Sequence, residues 1–140
     1  MSLIDKIQVN AHYTRSVNLE RDSNSIDVVN AYIPTSRALR TFSKIADTFH
    51  GRQAPRAWSL VGPYGSGKSS FSVFLAQLLS DPEDLTTKAA YRVLNETEKP
   101  LASRFKEAGK GKNGYFEVLV TGAPEPLSLR LLKGFANAAE

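Results

Sequence analysis

Eight consecutive residues, Gly62-Pro63-Tyr64-Gly65-Ser66-Gly67-Lys68-Ser69, satisfy the pattern G-x-x-x-x-G-K-[ST] at every fixed position. The chemistry that fits this spacing is the cradling of a polyphosphate. Glycines allow the backbone to take positive φ and to approach phosphate oxygens with no side chain in the way. The loop N–H groups can then ring the anion, and a helix starting at the end of the loop adds its free amides and the positive end of its dipole. Lys68 supplies a full charge for the β- and γ-phosphates, and Ser69 offers a hydroxyl to Mg²⁺. The expected ligand-holding set therefore runs from Gly62 to Ser70: Gly62, Pro63, Tyr64, Gly65, Ser66, Gly67, Lys68, Ser69 and Ser70. Lys68 is the catalytic candidate, Ser69 the metal ligand, and ATP with Mg²⁺ the ligand pair. Tyr64 is expected to pack on the loop in preference to stacking on a base.

Such a loop needs flanks that hold it. On its N-terminal side Ala57, Trp58, Ser59, Leu60 and Val61 form an apolar run between Pro55 and Gly62, the pattern of a short buried strand. On its C-terminal side Phe71, Phe74, Leu75, Leu78 and Leu79 recur at helical spacing, which predicts an amphipathic helix with its apolar side on a core.

The elements farther away follow from the same rules. Ile7, Val9 and Ala11 sit at strand spacing, and Arg21 to Ser25 is a polar turn. Ile26 to Ile33 reads as a short strand or an irregular strap ending at Pro34. Thr35 or Ser36 caps a helix over residues 36 to 50, with Leu39, Phe42, Ile45, Ala46 and Phe49 on its apolar face and Gly51 as its stop. Ser80, Pro82 and Glu83 mark the start of two short helices near 84–95 and 100–108. Tyr115 to Thr121 is rich in aromatic and β-branched residues and predicts a strand. Leu127, Leu131, Leu132, Phe135 and Ala136 predict a last helix. The predicted class is α/β, a partial parallel sheet flanked by helices, with an N-terminal strap over 1–34 and a nucleotide-binding portion over 35–140.

Gly62-Pro63-Tyr64-Gly65-Ser66-Gly67-Lys68-Ser69-Ser70, followed by Phe71-Ser72-Val73-Phe74-Leu75, resembles the Walker A P-loop of AAA+-like ATPases. It is similar in particular to ATPase modules of large bacterial proteins, including those of phage-defence systems. The resemblance covers residues 30 to 80. It implies a P-loop NTPase domain, ATP and magnesium as ligands, and adenine contacts in the strap near Tyr32, Ile33 and Pro34. It also implies hydrolysis of ATP when the domain is complete, with other subunits or domains of a larger ATPase as partners.

Several expected parts are missing. A Walker B strand ends in an acid, whereas Tyr115 to Thr121 ends in Thr121-Gly122, and Asp81 lies at the end of a helix. No sensor or arginine finger can be assigned, and Arg92, Arg104 and Arg130 read as surface groups. No N-K-x-D pattern for guanine occurs. The sheet is short of strands. The sequence therefore reads as the N-terminal part of a larger ATPase. Its rivals are a nucleotide-binding module without turnover and a small-molecule P-loop kinase, for which neither an Arg-bearing lid nor a substrate acid can be placed.

Composition sets the remaining bounds. The chain has 140 residues, 41% of them apolar and 23% charged, the make-up of one globular domain. Eighteen basic residues against 14 acidic give a net charge of +4, scattered with no basic stripe, so nucleic acid is not indicated. Lys106 to Lys112 reads as a solvated turn. The absence of cysteine removes disulfides and thiolate metal sites. His12 and His50 are expected as surface or capping groups. No signal peptide or membrane-length apolar run occurs, so no membrane partner is expected and the expected location is the cytoplasm.

Overall fold

The computed structural model describes residues 16–51, 53–109 and 113–139. The expected strand around Ile7, Val9 and Ala11, and His12, lie outside them. Among the described residues there are six α-helices and no strand: α1 (Ile26–Ala31), α2 (Ser36–Phe49), α3 (Lys68–Leu79), α4 (Leu85–Thr97), α5 (Lys99–Gly109) and α6 (Leu127–Ala139). The expected α/β class with a partial parallel sheet is thus corrected to an all-helical fold.

Local chemistry explains most helix ends. Ser25 caps α1, its hydroxyl accepting from the Val28 N–H at 3.4 Å, so Ile26 to Ala31 is a helix and neither a strand nor a strap. Thr35 caps α2 in the same way through the Ala38 N–H at 3.3 Å. His50 closes α2, and Gly51 follows with φ +68°, the left-handed geometry that ends a helix. The stretch from Ser80 to Glu83 does not cap as expected. Asp84 is the cap residue of α4, and Asp81 instead accepts from the Glu83 N–H at 2.9 Å. Lys106 lies on α5, 5.3 Å from the Tyr91 ring centroid, so the first part of the expected turn over Lys106 to Lys112 is helix as far as Gly109; residues 110–112 lie outside the described residues.

The centre of the molecule is α3. Phe71, Val73, Phe74, Ala76, Gln77 and Leu78 are all buried, which puts buried groups on more than one face of the helix where a single apolar side was expected. The reason is its neighbours: α1, α4 and α5 all pack on it. Phe42 of α2 is fully buried against it, stacked on Phe71 at 4.5 Å and edge-on to Phe105 of α5 at 6.4 Å. The Tyr32 ring, just past α1, stacks on Phe74 at 4.5 Å. Aromatic pairs at these separations add to the gain from area burial alone.

Polar ties fix how the helices sit. Gln77 is buried, yet its amide donates to the Ser23 carbonyl at 2.7 Å and to Asn24 Oδ1 at 3.3 Å, while the Thr87 hydroxyl donates to Gln77 Oε1 at 3.5 Å. One satisfied side chain thereby links the turn before α1 to α3 and α4. The Tyr91 hydroxyl donates to the Leu78 carbonyl at 2.9 Å, and burial pushes this phenol up to about 12. Arg104 of α5 donates to Asp47 at 2.7 Å and to the Ser43 hydroxyl at 2.9 Å on α2.

The two predicted strands fail for a physical reason. A ladder needs a neighbouring backbone to exchange hydrogen bonds with. Around 57–61 no such neighbour exists among the described residues, and Val61 is 92% exposed where a buried strand would be covered on both faces. Along 115–121 the backbone donors go elsewhere: the Tyr115 N–H to the Leu79 carbonyl at 2.8 Å, and the Thr121 N–H to Glu20 Oε1 at 3.0 Å. Gly114 permits the first contact, because a Cβ there would lie 2.5 Å from the Asp81 nitrogen.

The last helix, α6, rests on this segment through Gly134, where a Cβ would meet Val120 at 2.7 Å. Arg130 pins it further, donating to both oxygens of Glu20 at 2.8 and 2.7 Å and to the Thr121 carbonyl at 2.8 Å. Arg104 and Arg130 are thus half-buried clamps where surface groups were expected, and Arg92 is an exposed donor to Asn30.

The aromatic cluster yields a stability test. Phe42→Ala is expected to cost about 3–5 kcal/mol, the usual range for emptying a buried phenylalanine site. Phe116→Ala, at a residue 64% exposed, is expected to stay within about 0.5 kcal/mol. Urea denaturation of both variants checks the contrast.

Candidate functional site

The loop from Gly62 to Gly67 leads directly into α3, whose first residue is Lys68. Gly65 and Gly67 take φ +77° and +81°; of the two glycines that the pattern fixes, Gly67 uses the backbone freedom, while Gly65 stands at a position the pattern leaves open. Gly62 works differently: its φ is not positive, but a Cβ there would lie 2.9 Å from the Ser66 hydroxyl. The Ser66 N–H donates to the Pro63 carbonyl at 3.3 Å and closes the turn. Gly67 is the cap residue of α3 and brings no side-chain acceptor. The first amides of a helix have no partner within it, so the donors at the start of α3 stand free of side-chain capping.

The Lys68 ammonium folds back over its own loop. It donates to the Gly62 carbonyl at 2.9 Å, the Pro63 carbonyl at 2.8 Å and the Ser66 hydroxyl at 3.3 Å. Its charge therefore sits above the turn, held by three acceptors that a phosphate could replace.

Beside the loop is a cavity of about 350 Å³. The loop and α3 contribute Gly62, Pro63, Ser66, Gly67, Lys68 and Ser70, and α3 closes the floor with Phe71. The opposite wall comes from Tyr32, Ile33 and the start of α2, with Thr35, Arg37, Ala38 and Thr41, while Leu60 and Val61 finish the rim. No Asp or Glu is among the described lining residues. Of the residues singled out in the sequence, these six loop positions share the cavity, and Tyr64, Gly65 and Ser69 stand outside its lining. Tyr64 is 92% exposed and does not pack on the loop as expected. Ser69 is exposed on the first turn of α3. Tyr32 and Ile33 line the cavity while Pro34 does not, and one face of the Tyr32 ring is already taken by Phe74.

Arg37 and Thr41 were missed in the sequence. Thr35 signalled only a helix cap, and a charged residue two places later looks like any solvated helix position. His50 is the closing residue of α2, its Nε2 3.0 Å from the Arg104 carbonyl, which agrees with a capping role.

No family model, curated protein or solved structure matches the chain. With no family match and no strand among the described residues, the resemblance to AAA+-like P-loop ATPases is overturned. That superfamily hangs its loop on the end of a strand inside a parallel sheet. Here the residues before Gly62 are irregular and exposed, and helices occupy the space around α3. The identification as a Walker A ATPase domain, with the nucleotide-binding role such membership carries, falls with the sheet. What remains is the local geometry of the loop and its cavity. No helix among the described residues is long and apolar enough to cross a membrane.

A second cavity, of about 420 Å³, lies between the Ser80–Asp81 turn, residues 113–119 and α6. Glu117 faces it and accepts from the Ser80 hydroxyl at 2.6 Å. Burial raises the Glu117 carboxyl above its ordinary range, the nearby Asp84 charge adds to this, and the Ser80 hydrogen bond opposes it. A carboxyl raised in the folded state favours folding while protonated, and that contribution is lost as pH rises through the folded value. Glu117→Gln keeps a polar group beside Ser80 and removes the titration. Relative to this variant, the wild-type protein is expected to lose stability as pH climbs from 4 towards 8. Denaturation midpoints across that range check it, and parallel curves would refute it.

Proposed function

We propose that the cavity beside Gly62–Lys68 binds the phosphate end of an anionic ligand, with ATP·Mg²⁺ the ligand to test first, and that it does so without turnover. The observation that carries this reading is the convergence of Lys68, Gly67 at positive φ and the uncapped start of α3 on a cavity with no carboxylate among its described lining residues. A phosphate entering there gains backbone donors and a full positive charge. The loop acceptors that now hold Lys68 are replaced by phosphate oxygens, so the lysine exchanges partners and is never left unpaired. Ser69 is exposed beside Lys68 but stands outside the cavity lining, so no Mg²⁺ ligand is assigned there. Hydrolysis needs a group that orients water, and the described lining residues offer no carboxylate for that task.

A second reading has its own support. The three hydrogen bonds from Lys68 to its loop also fit a staple that fixes the turn with no ligand. Titration calorimetry with ATP·Mg²⁺ on wild type and Lys68→Ala separates the two. Loss of a charge-assisted contact of about 1.5–3 kcal/mol should weaken binding by about tenfold to a hundredfold. Equal affinity in both proteins removes Lys68 from any ligand contact. No heat with either protein, together with a lower melting temperature for Lys68→Ala, leaves the staple. Phosphate release above background would contradict binding without turnover.

A further inference from the structure

We propose that Arg37 is a second cationic contact of this cavity and makes it select chains of phosphates over a single phosphate; this rests on the reading of the cavity as an anion site. Arg37 and Lys68 are the two basic residues among the described residues of the lining, and they come from different elements, the first turn of α2 and the first turn of α3. A ligand with one phosphate can satisfy the loop and Lys68. Engaging the α2 side as well takes further charge along the ligand.

The position of Arg37 is unfavourable without such a ligand. It lies in the first turn of α2, which contains no acidic residue, so the positive end of the helix dipole opposes its charge. Its guanidinium has no hydrogen bond or ion pair among the described residues, in contrast to Arg104 and Arg130, which are bound to carboxylates. The planar fork of an arginine can donate two parallel hydrogen bonds to one phosphate, which a lysine cannot reproduce. Thr35 and Thr41 flank it in the lining; the Thr41 hydroxyl already donates to the Arg37 carbonyl at 3.0 Å, whereas Thr35, which accepts from the Ala38 N–H, keeps its own proton to donate.

The test measures affinities for inorganic tripolyphosphate and for orthophosphate in wild type, Arg37→Ala, Arg37→Lys, Arg40→Ala and Lys68→Ala. Arg40 is an exposed arginine of α2 that does not line the cavity, so its variant controls for net charge. Arg37→Ala is expected to weaken tripolyphosphate binding by about tenfold and orthophosphate binding by less than about twofold. Arg37→Lys should recover part of the loss, and Arg40→Ala should match wild type. Melting temperature without ligand is expected to be unchanged or higher in Arg37→Ala, since an unfavourable charge leaves the helix start. If Lys68→Ala loses tripolyphosphate binding while Arg37→Ala keeps it, the Arg37 proposal is overturned and the anion site stands. Equal losses in Arg37→Ala and Arg40→Ala also overturn it, because bulk charge then accounts for both. Absence of binding to the wild-type protein overturns the site and the proposal together.

Discussion

The burial of α3 constrains the rest of the molecule. Its body is enclosed by α1, α4 and α5, with Phe42 of α2 set against it, and Phe74 and Val73 are fully shielded. Packing of this kind leaves a helix little freedom to shift, because protein interiors are close to crystalline density. Only the N-terminal turn emerges, at Gly67 and Lys68. The loop is exposed, its one large side chain, Tyr64, included, so by itself it has little to hold it; its geometry is inherited from the helix it leads into. Gln77, bonded to both the Ser23–Asn24 turn and Thr87, sets the rotation of α3 and with it the direction in which the first-turn amides point.

Electrostatics at that emerging end follow from what the core excludes. Three carboxylates of the described chain are engaged in ion pairs away from the cavity beside the loop. Asp22 pairs with Arg21, Asp47 with Arg104, and Glu20 with Arg130. Each of these pairs also serves a structural junction, so none can be redirected without loosening one. The cavity is left with Lys68, Arg37 and backbone donors, and the overall charge of +4 adds to the bias. Lys68 is neutralised in part by carbonyls of its own turn, a weaker arrangement than an ion pair and one that a charged ligand can displace.

The helices were legible in the sequence because their signals are local. Thr35 as cap, Gly51 as stop and the 3.6-residue spacing of Phe42, Ile45, Ala46 and Phe49 are contained within α2. The strands were not legible, because a strand is defined by a partner elsewhere in the chain. Ala57 to Val61 and Tyr115 to Thr121 have strand-like composition, but composition measures how well a residue suits a pleated, half-buried surface, and in this structure no sheet is present among the described residues to provide one. Ile26 to Ile33 misled too. The place of Ile33 before Pro34 suggested an extended end to a strand or strap, yet Ser25 as cap and the burial of Val29 against the core made a helix of Ile26 to Ala31. Arg130 and Glu20, 110 positions apart, carried no sequence signal at all.

The loop motif shows how far local chemistry can be separated from fold. The local features on which the proposed anion site rests lie within Gly62 to Ser70: positive φ at Gly65 and Gly67, a lysine one residue later, and a helix start with no side-chain cap. None of these depends on a sheet. A sheet would supply rigidity upstream of Gly62, and here Trp58 and Leu60 remain partly exposed, so rigidity has to come from downstream, through α3. The wall opposite the loop is then set by α2, which is held to α3 by the Phe42–Phe71 stack. The cavity is thus defined by the packing of two helices, and its width is a consequence of the aromatic core beneath it.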